Sequence, residues 1–218
     1  MSDSPYTVSD VMTHTVVAVG RDASFKEIVE LIDQWKVSAL PVLEGEGRVV
    51  GVVSEADLLP KEEFRGRVPA DQDQYQARDR HGRLSDLAKA AAVTAGELMS
   101  SPAVTVHADA SLAEAARIMA RRRVKRLPVV DAIGLLQGVV SRSDLLKVFL
   151  RSAEEIADEV RRTVIAQLPP AQAVTVTVAD GVVTLGGALH DTALVPVLAR
   201  AVRAVEGVVD IRLALVRP

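Results

Sequence analysis

The sequence predicts an α+β protein: an α/β-like pair of β-α-β-β-α repeats packed about a pseudo-two-fold axis, followed by a small α-β-β-α-β domain. Three observations predict it. The chain matches itself without a gap at a displacement of 87 positions, with 19 identities over the 48 positions from Met12 to Leu59. Each copy passes from strand-like to helical spacing of apolar residues and back in the same order. The segment from about residue 152 onward matches neither copy and has an alternation of its own.

In the first copy, Val16 to Val19 is a short β-branched run. Asp22 or Ser24 can cap a helix, with Glu27 three residues after Ser24 completing a capping box. Phe25, Ile28, Val29 and Ile32 then mark one helical face. Ala39–Leu43 and Val49–Val53 read as strands around a Glu-Gly-Glu-Gly turn. Ser54-Glu55-Ala56-Asp57 opens a second, short helix. The second copy repeats this order, with Leu112 to Arg123 as its first helix; Arg121, Arg122 and Arg123 suit the negative end of the helix dipole. Coincidence in Val/Ala-rich sequence is an inadequate account of the match, because Met12/Met99, Pro41/Pro128, Gly51/Gly138, Ser54/Ser141 and Asp57/Asp144 are all in register. A unit of about 50 residues is marginal alone, so the two copies are expected to share a core. Residues 61–93 are charged, contain Pro69 and Gly82 and break the repeat; they read as a linker with helix from Leu84 to Ala92.

Beyond the repeats, Ile156, Val160, Val164 and Leu168 predict a helix closed by Pro169-Pro170. Val174, Val176 and Val178 predict a half-buried strand, Asp180-Gly181 a tight hairpin turn and Val182–Leu185 the return strand. Asp191 or Thr192 starts another helix, with Val197, Leu198, Ala201, Val202 and Val205 apolar and Pro196 either in its first turn or at a kink. Gly207 is expected at its C′ position, and Val208–Val216 as the last strand. The expected division is 1–60, 61–93, 94–151 and 152–218.

Composition bounds the chemistry. The 218 residues include no Cys, which excludes disulfides, thiolate metal sites, iron–sulfur clusters and Cys nucleophiles. There are 26 Lys/Arg against 29 Asp/Glu and 3% aromatic residues, a balance that argues against a nucleic-acid partner. The polar N-terminus MSDSPYTVSD has no basic region followed by an apolar stretch, and no apolar run approaches the roughly 18 residues of a membrane span. The expectation is a cytoplasmic protein. His14, His81, His107 and His190 are isolated in sequence, and no phosphate loop, nucleophile elbow or dinucleotide fingerprint is present. No catalysis is expected.

The ordered duplication of DVM (Asp10–Met12), SALPVL (Ser38–Leu43) and GVVSEADLL (Gly51–Leu59) as ELM (Glu97–Met99), KRLPVV (Lys125–Val130) and GVVSRSDLL (Gly138–Leu146) resembles a tandem pair of cystathionine-β-synthase (CBS) domains. The C-terminal α-β-β-α-β order, with ADGVVTLGG and VEGVVDI, is similar to the BON domain. The CBS resemblance implies no required cofactor, a homodimer, and an adenine nucleotide (AMP, ADP or ATP) or S-adenosylmethionine as regulatory ligand in the cleft between repeats. The residue types suit such a ligand. Asp57 and Asp144 can accept from ribose hydroxyls, while Ser54 and Ser141, at helix starts, can meet a phosphate. Val16, Val17, Ala103 and Val104 can wall the adenine. Main-chain groups near Ala39-Leu40 and Arg126-Leu127 can read its edge, with Pro41 and Pro128 fixing that backbone. Lys125, Arg126 and Arg142 make the second copy the more cationic, while Lys36 and Glu55 belong to the first. Standing alone, a Ser-x-x-Asp reads first as a plain helix cap, and its duplication within this frame is what raises the ligand reading beside it. Residues 151–218 carry seven Lys/Arg, eight Asp/Glu and no aromatic residue. That favours an unidentified protein partner over phospholipid for the BON-like region. The competing expectation is a ligand-free dimerisation scaffold.

Overall fold

Each repeat is built from the capping signals and apolar stripes that its sequence carries. The structure, a computed structural model, describes residues 6–65, 80–168 and 173–216. The first repeat opens with the one-turn helix α1 (Val8–Val11) and the short strand β1 (Val19–Gly20). Only Val19 of the expected Val16–Val19 run joins the sheet; Val16 and Val17 are half-buried outside it. Ser24 is the N-cap of α2 (Phe25–Trp35), its Oγ accepting the Glu27 N–H at 3.2 Å. Ile28 and Ile32 are buried, but Val29 is exposed. It lies about 100° past Ile28 around the helix, beyond the stripe of Phe25, Ile28, Leu31 and Ile32. Strand β2 (Ala39–Glu44) pairs parallel with β1 and antiparallel with β3 (Arg48–Ser54). The short helices α3 (Glu55–Leu58) and α4 (Pro60–Glu63) follow.

Between the repeats the structure places α5 (Arg80–Ala91), which begins earlier than the expected Leu84. Pro69 lies outside the described residues. The second repeat runs α6 (Ala95–Leu98), β4 (Val106–His107), α7 (Leu112–Arg122), β5 (Arg126–Val130), β6 (Leu136–Ser141) and α8 (Arg142–Leu146). Its sheet has the order β4-β5-β6, matching β1-β2-β3. Helix α7 stops one residue before the expected Arg123, which takes a left-handed φ of 56°.

The two copies exchange equivalent contacts, the signature of a pseudo-two-fold relation. Thr13 and Val139 bond each other's backbone (2.9 and 3.0 Å), and so do their counterparts Ser100 and Val52 (2.9 and 3.1 Å). The Val49 N–H donates to the Gly134 carbonyl and the Leu136 N–H to the Gly47 carbonyl, both at 3.0 Å. Gly51 lies against Met99, and Gly138 against Met12 and the Thr13 carbonyl; a Cβ on Gly138 would approach that oxygen to 2.9 Å. The duplicated Met and Gly are therefore reciprocal packing partners.

The chain forms two compact units. One holds residues 12–108 and 122–140, and the other holds α1, residues 109–121 and everything from Ser141 onward. In the first, Ile28, Leu40, Val42, Val53, Ala95 and Leu98 form the heart of a buried cluster. The second contains α9 (Ala153–Thr163), β7 (Ala173–Ala179), β8 (Val182–Ala188), α10 (Val195–Arg203) and β9 (Asp210–Val216). This is the expected α-β-β-α-β order, in a sheet with β8 between antiparallel β7 and parallel β9. Ile156, Val160, Val183, Leu185, Leu198 and Val202 lie at its core.

Two details differ from expectation, the end of α9 and the place of Gly207, while Pro196 takes the first of its two expected positions. Helix α9 ends at Thr163, and a 3₁₀ turn over Ile165–Gln167 continues the path toward Leu168; Pro169-Pro170 lies outside the described residues. Pro196 sits in the first turn of α10, where its missing N–H costs nothing. Gly207 is not at C′, because α10 is capped at Ala204. Its φ of 91° and a Cβ position 2.7 Å from the Val148 carbonyl show why glycine stands there. Asp180 and Gly181 both have positive φ (51° and 73°), as a two-residue hairpin loop requires. Among the described residues no helix is long and apolar enough to cross a membrane.

Candidate functional site

Both Ser-x-x-Asp motifs stand where a strand hands over to a short helix, and both form complete capping boxes. At the end of β3, the Ser54 N–H and Oγ–H donate to Asp57 Oδ2 at 2.8 and 2.6 Å. The other carboxylate oxygen, Oδ1, is ion-paired with Lys89 of α5. Asp57 is buried and has both oxygens engaged. At the end of β6, the Ser141 N–H donates to Asp144 Oδ2 at 2.9 Å, and the Ser141 hydroxyl donates to the same oxygen. Here Oδ1 meets Lys147 Nζ at 2.7 Å, from the next turn of the same chain segment. Burial tends to raise the Asp144 pKa, but the hydrogen bonds from Lys147 and Ser141 outweigh it and hold the carboxyl below its ordinary 3.8.

The remaining expected site residues fall into distinct environments. Ala39, Leu40, Pro41 and Pro128 are buried on β2 and β5. Val16, Val17, Ala103 and Val104 are half-buried, which suits a wall. Lys125 and Arg142 are exposed. Arg126, expected at the second copy's pocket, reaches the first: Nη2 donates to Ser38 Oγ at 2.8 Å and Nη1 to the Ala39 carbonyl at 3.5 Å. The Ala39 carbonyl, expected to read an adenine edge, is therefore already engaged. Arg126, Ser38, Lys36, Glu55, Val29 and Val37 line a cavity of about 470 Å³ together with Ile32 and Asp33. A second cavity of about 710 Å³ lies among Gly20, Arg21, Asp22, Glu44, Thr94 and Glu97 and contains none of the expected residues. Asp57 lines neither.

Lys89 and Lys147 were not singled out by sequence reading. Lys147 had a signal, since Asp144 and Lys147 are three residues apart at a helix start. Lys89 had none, because its segment has no repeat counterpart. His14, His107 and His190 are exposed. No group of three or more His, Asp or Glu able to hold a metal occurs among the described residues.

The duplicated sheets, their reciprocal backbone exchange and the paired capping boxes define a tandem-repeat module, and the chain belongs to the CBS-domain family. The CBS domain model matches residues 8–61 and 95–151. Among curated proteins, the chain is 32% identical over 157 residues to the chloroplastic CBS domain-containing protein CBSX2 of Arabidopsis thaliana, covering 69% of this chain and 66% of that one. It is 28% identical over 153 residues to the uncharacterized protein MJ1426 of Methanocaldococcus jannaschii, covering 66% of this chain and 90% of that one. Among solved structures, CBSX2 in complex with AMP superimposes with a TM-score of 0.57 at 32% identity, over 66% of this chain and 97% of that chain. An inosine-5'-monophosphate dehydrogenase of Nitrosopumilus maritimus matches at 26% identity over only 22% of its length, so a CBS pair also occurs within an enzyme chain.

Proposed function

We propose that this chain is a non-enzymatic, cytoplasmic regulatory protein whose CBS pair binds an adenine nucleotide or a related adenosyl compound. The observation that carries the reading is the likeness to CBSX2, solved with AMP, over nearly the whole of that chain. The site geometry supports it through two pre-ordered carboxylates, each held at a helix start by a serine. Val16, Val17, Ala103 and Val104 supply the adenine walls, Asp57 and Asp144 the ribose acceptors, and Lys125, Arg126 and Arg142 the phosphate donors; Ser54 and Ser141, whose N–H and hydroxyl protons already go to Asp57 and Asp144, hold those carboxylates instead.

The pair acts as a homodimer, and Leu146, Phe149 and Leu150, all exposed within five residues of chain, support self-association. The domains are 1–60, 61–93, 94–151 and 152–218. The last of these is BON-like and presents the ligand-dependent change to a protein partner. The strands of its sheet carry one basic residue, Arg212, paired with Thr184 between β9 and β8, which falls short of the basic patch that a phospholipid surface would select. Binding is tested by thermal shift with AMP, ADP, ATP and S-adenosylmethionine. A ligand at 100 times its Kd adds about 2.7 kcal/mol; no shift with any of the four overturns the reading.

One observation favours a second reading. Asp57 has every carboxylate oxygen satisfied internally, as an empty dimerisation scaffold would have it. A dimer that native mass spectrometry finds free of any small molecule, and that nucleotide leaves unshifted, selects the scaffold.

A further inference from the structure

The two repeats are near-identical in their Ser-x-x-Asp motifs but not in what faces the carboxylate. At Asp144 the opposing cation is Lys147, whose side chain is 56% exposed. It is a flexible ammonium in water that can swing aside without loss of packing. At Asp57 the opposing cation is Lys89, whose side chain is only 21% exposed and which comes from a different element, α5. The position equivalent to Lys147 in the first repeat is Pro60, which carries no charge.

Helix α5 is itself held in place. Lys61 donates to the Ala90 carbonyl at 2.9 Å, in the last turn of the helix, and its ammonium lies 5.1 Å from the centre of the Phe25 ring. Past the helix, the Phe25 N–H donates to the Val93 carbonyl at 2.9 Å. Lys89 is thus delivered to Asp57 by a turn anchored on both sides.

We infer that Lys89 is a resident competitor for the ribose at Asp57, so that each chain takes up one adenine nucleotide, at the Asp144 repeat, and a second at Asp57 only when Lys89 is displaced. The inference rests on the nucleotide reading above. A ribose diol needs a carboxylate oxygen with a free lone pair facing it. At Asp144 it must displace only a solvated lysine. At Asp57 it must break a half-buried ion pair and move a pinned helix turn, which makes the interrepeat segment the regulator of the first site.

The test is titration calorimetry with AMP on the full chain. Wild type is expected to bind one AMP per chain, and Asp144→Ala to weaken that site ten- to a hundred-fold. Lys89→Ala and Lys89→Met, the latter keeping the aliphatic stem, are expected to bind two, and Lys89→Met with Asp57→Ala one again. Two equal sites in wild type, or one site in both Lys89 variants, overturns the competitor role while leaving nucleotide binding intact. Absence of AMP binding in wild type and in both Lys89 variants overturns the nucleotide reading and this inference with it.

Discussion

Asp144 shows how one residue serves two purposes. Its Oδ2 closes the N-terminus of α8 through Ser141, and its Oδ1 meets an exposed lysine. Removing a charged acceptor of this kind is worth about 1.5–3 kcal/mol, so Asp144→Ala should weaken AMP binding about ten- to a hundred-fold; equal isotherms for mutant and wild type would remove Asp144 from the site. The same residue fixes a pH dependence. Its folded pKa lies below the ordinary 3.8. Its stabilisation is therefore fully present above that value and lost as pH falls through the lower folded one. Thermal melts between pH 2 and 5 should show a shallower acid loss for Asp144→Asn than for wild type. Gly138 makes a second residue-scale case. A methyl there meets the Thr13 backbone oxygen, whereas at Gly51 it meets the flexible Met99 side chain. Gly138→Ala should accordingly lower Tm more than Gly51→Ala.

At the scale of elements, α9 and its entry segment carry the sharpest energetic statement. Ser152 and Glu155 form a capping box, the Glu155 N–H donating to Ser152 Oγ at 3.2 Å and the Ser152 N–H to Glu155 Oε2 at 2.8 Å. Ser152→Ala should destabilise by about 1 kcal/mol. Immediately before it, Arg151 is paired with buried Glu159 at 2.7 Å, donates to the Glu206 carbonyl at 2.6 Å and stacks over Tyr6 at 5.0 Å. Glu159→Ala leaves a buried guanidinium short of its anion and should cost about 3–5 kcal/mol. Arg151→Met with Glu159→Leu should cost much less than the sum of the single changes, measured by denaturant unfolding. Additive losses would show that the pair is not coupled.

At the scale of the whole molecule, the repeat makes function a matter of symmetry and its breaking. Reciprocal bonds between Thr13 and Val139, and between Ser100 and Val52, show the symmetric part. Lys89 and the exposed Lys147 show where it fails. A sensor needs a ligand with different affinity for two states. Native mass spectrometry should find a dimer, and a change in its stability with AMP should accompany ligand uptake. A monomer would remove dimer geometry as the route of relay.

Much of this was legible before any coordinates. The match at 87 positions, the two Ser-x-x-Asp caps, the Asp180-Gly181 hairpin and the α-β-β-α-β order depend on local spacing and turn chemistry, which neighbouring residues impose on the backbone directly. Tertiary packing decided the rest. It left Val29 exposed, moved the reason for Gly207 from a helix cap to the approach of the Val148 carbonyl, sent Arg126 to Ser38 and brought Lys89 to Asp57. These outcomes join residues up to 88 positions apart in the chain. No local pattern encodes such pairings, because they depend on which surfaces meet once burial of the shared core has brought the elements together.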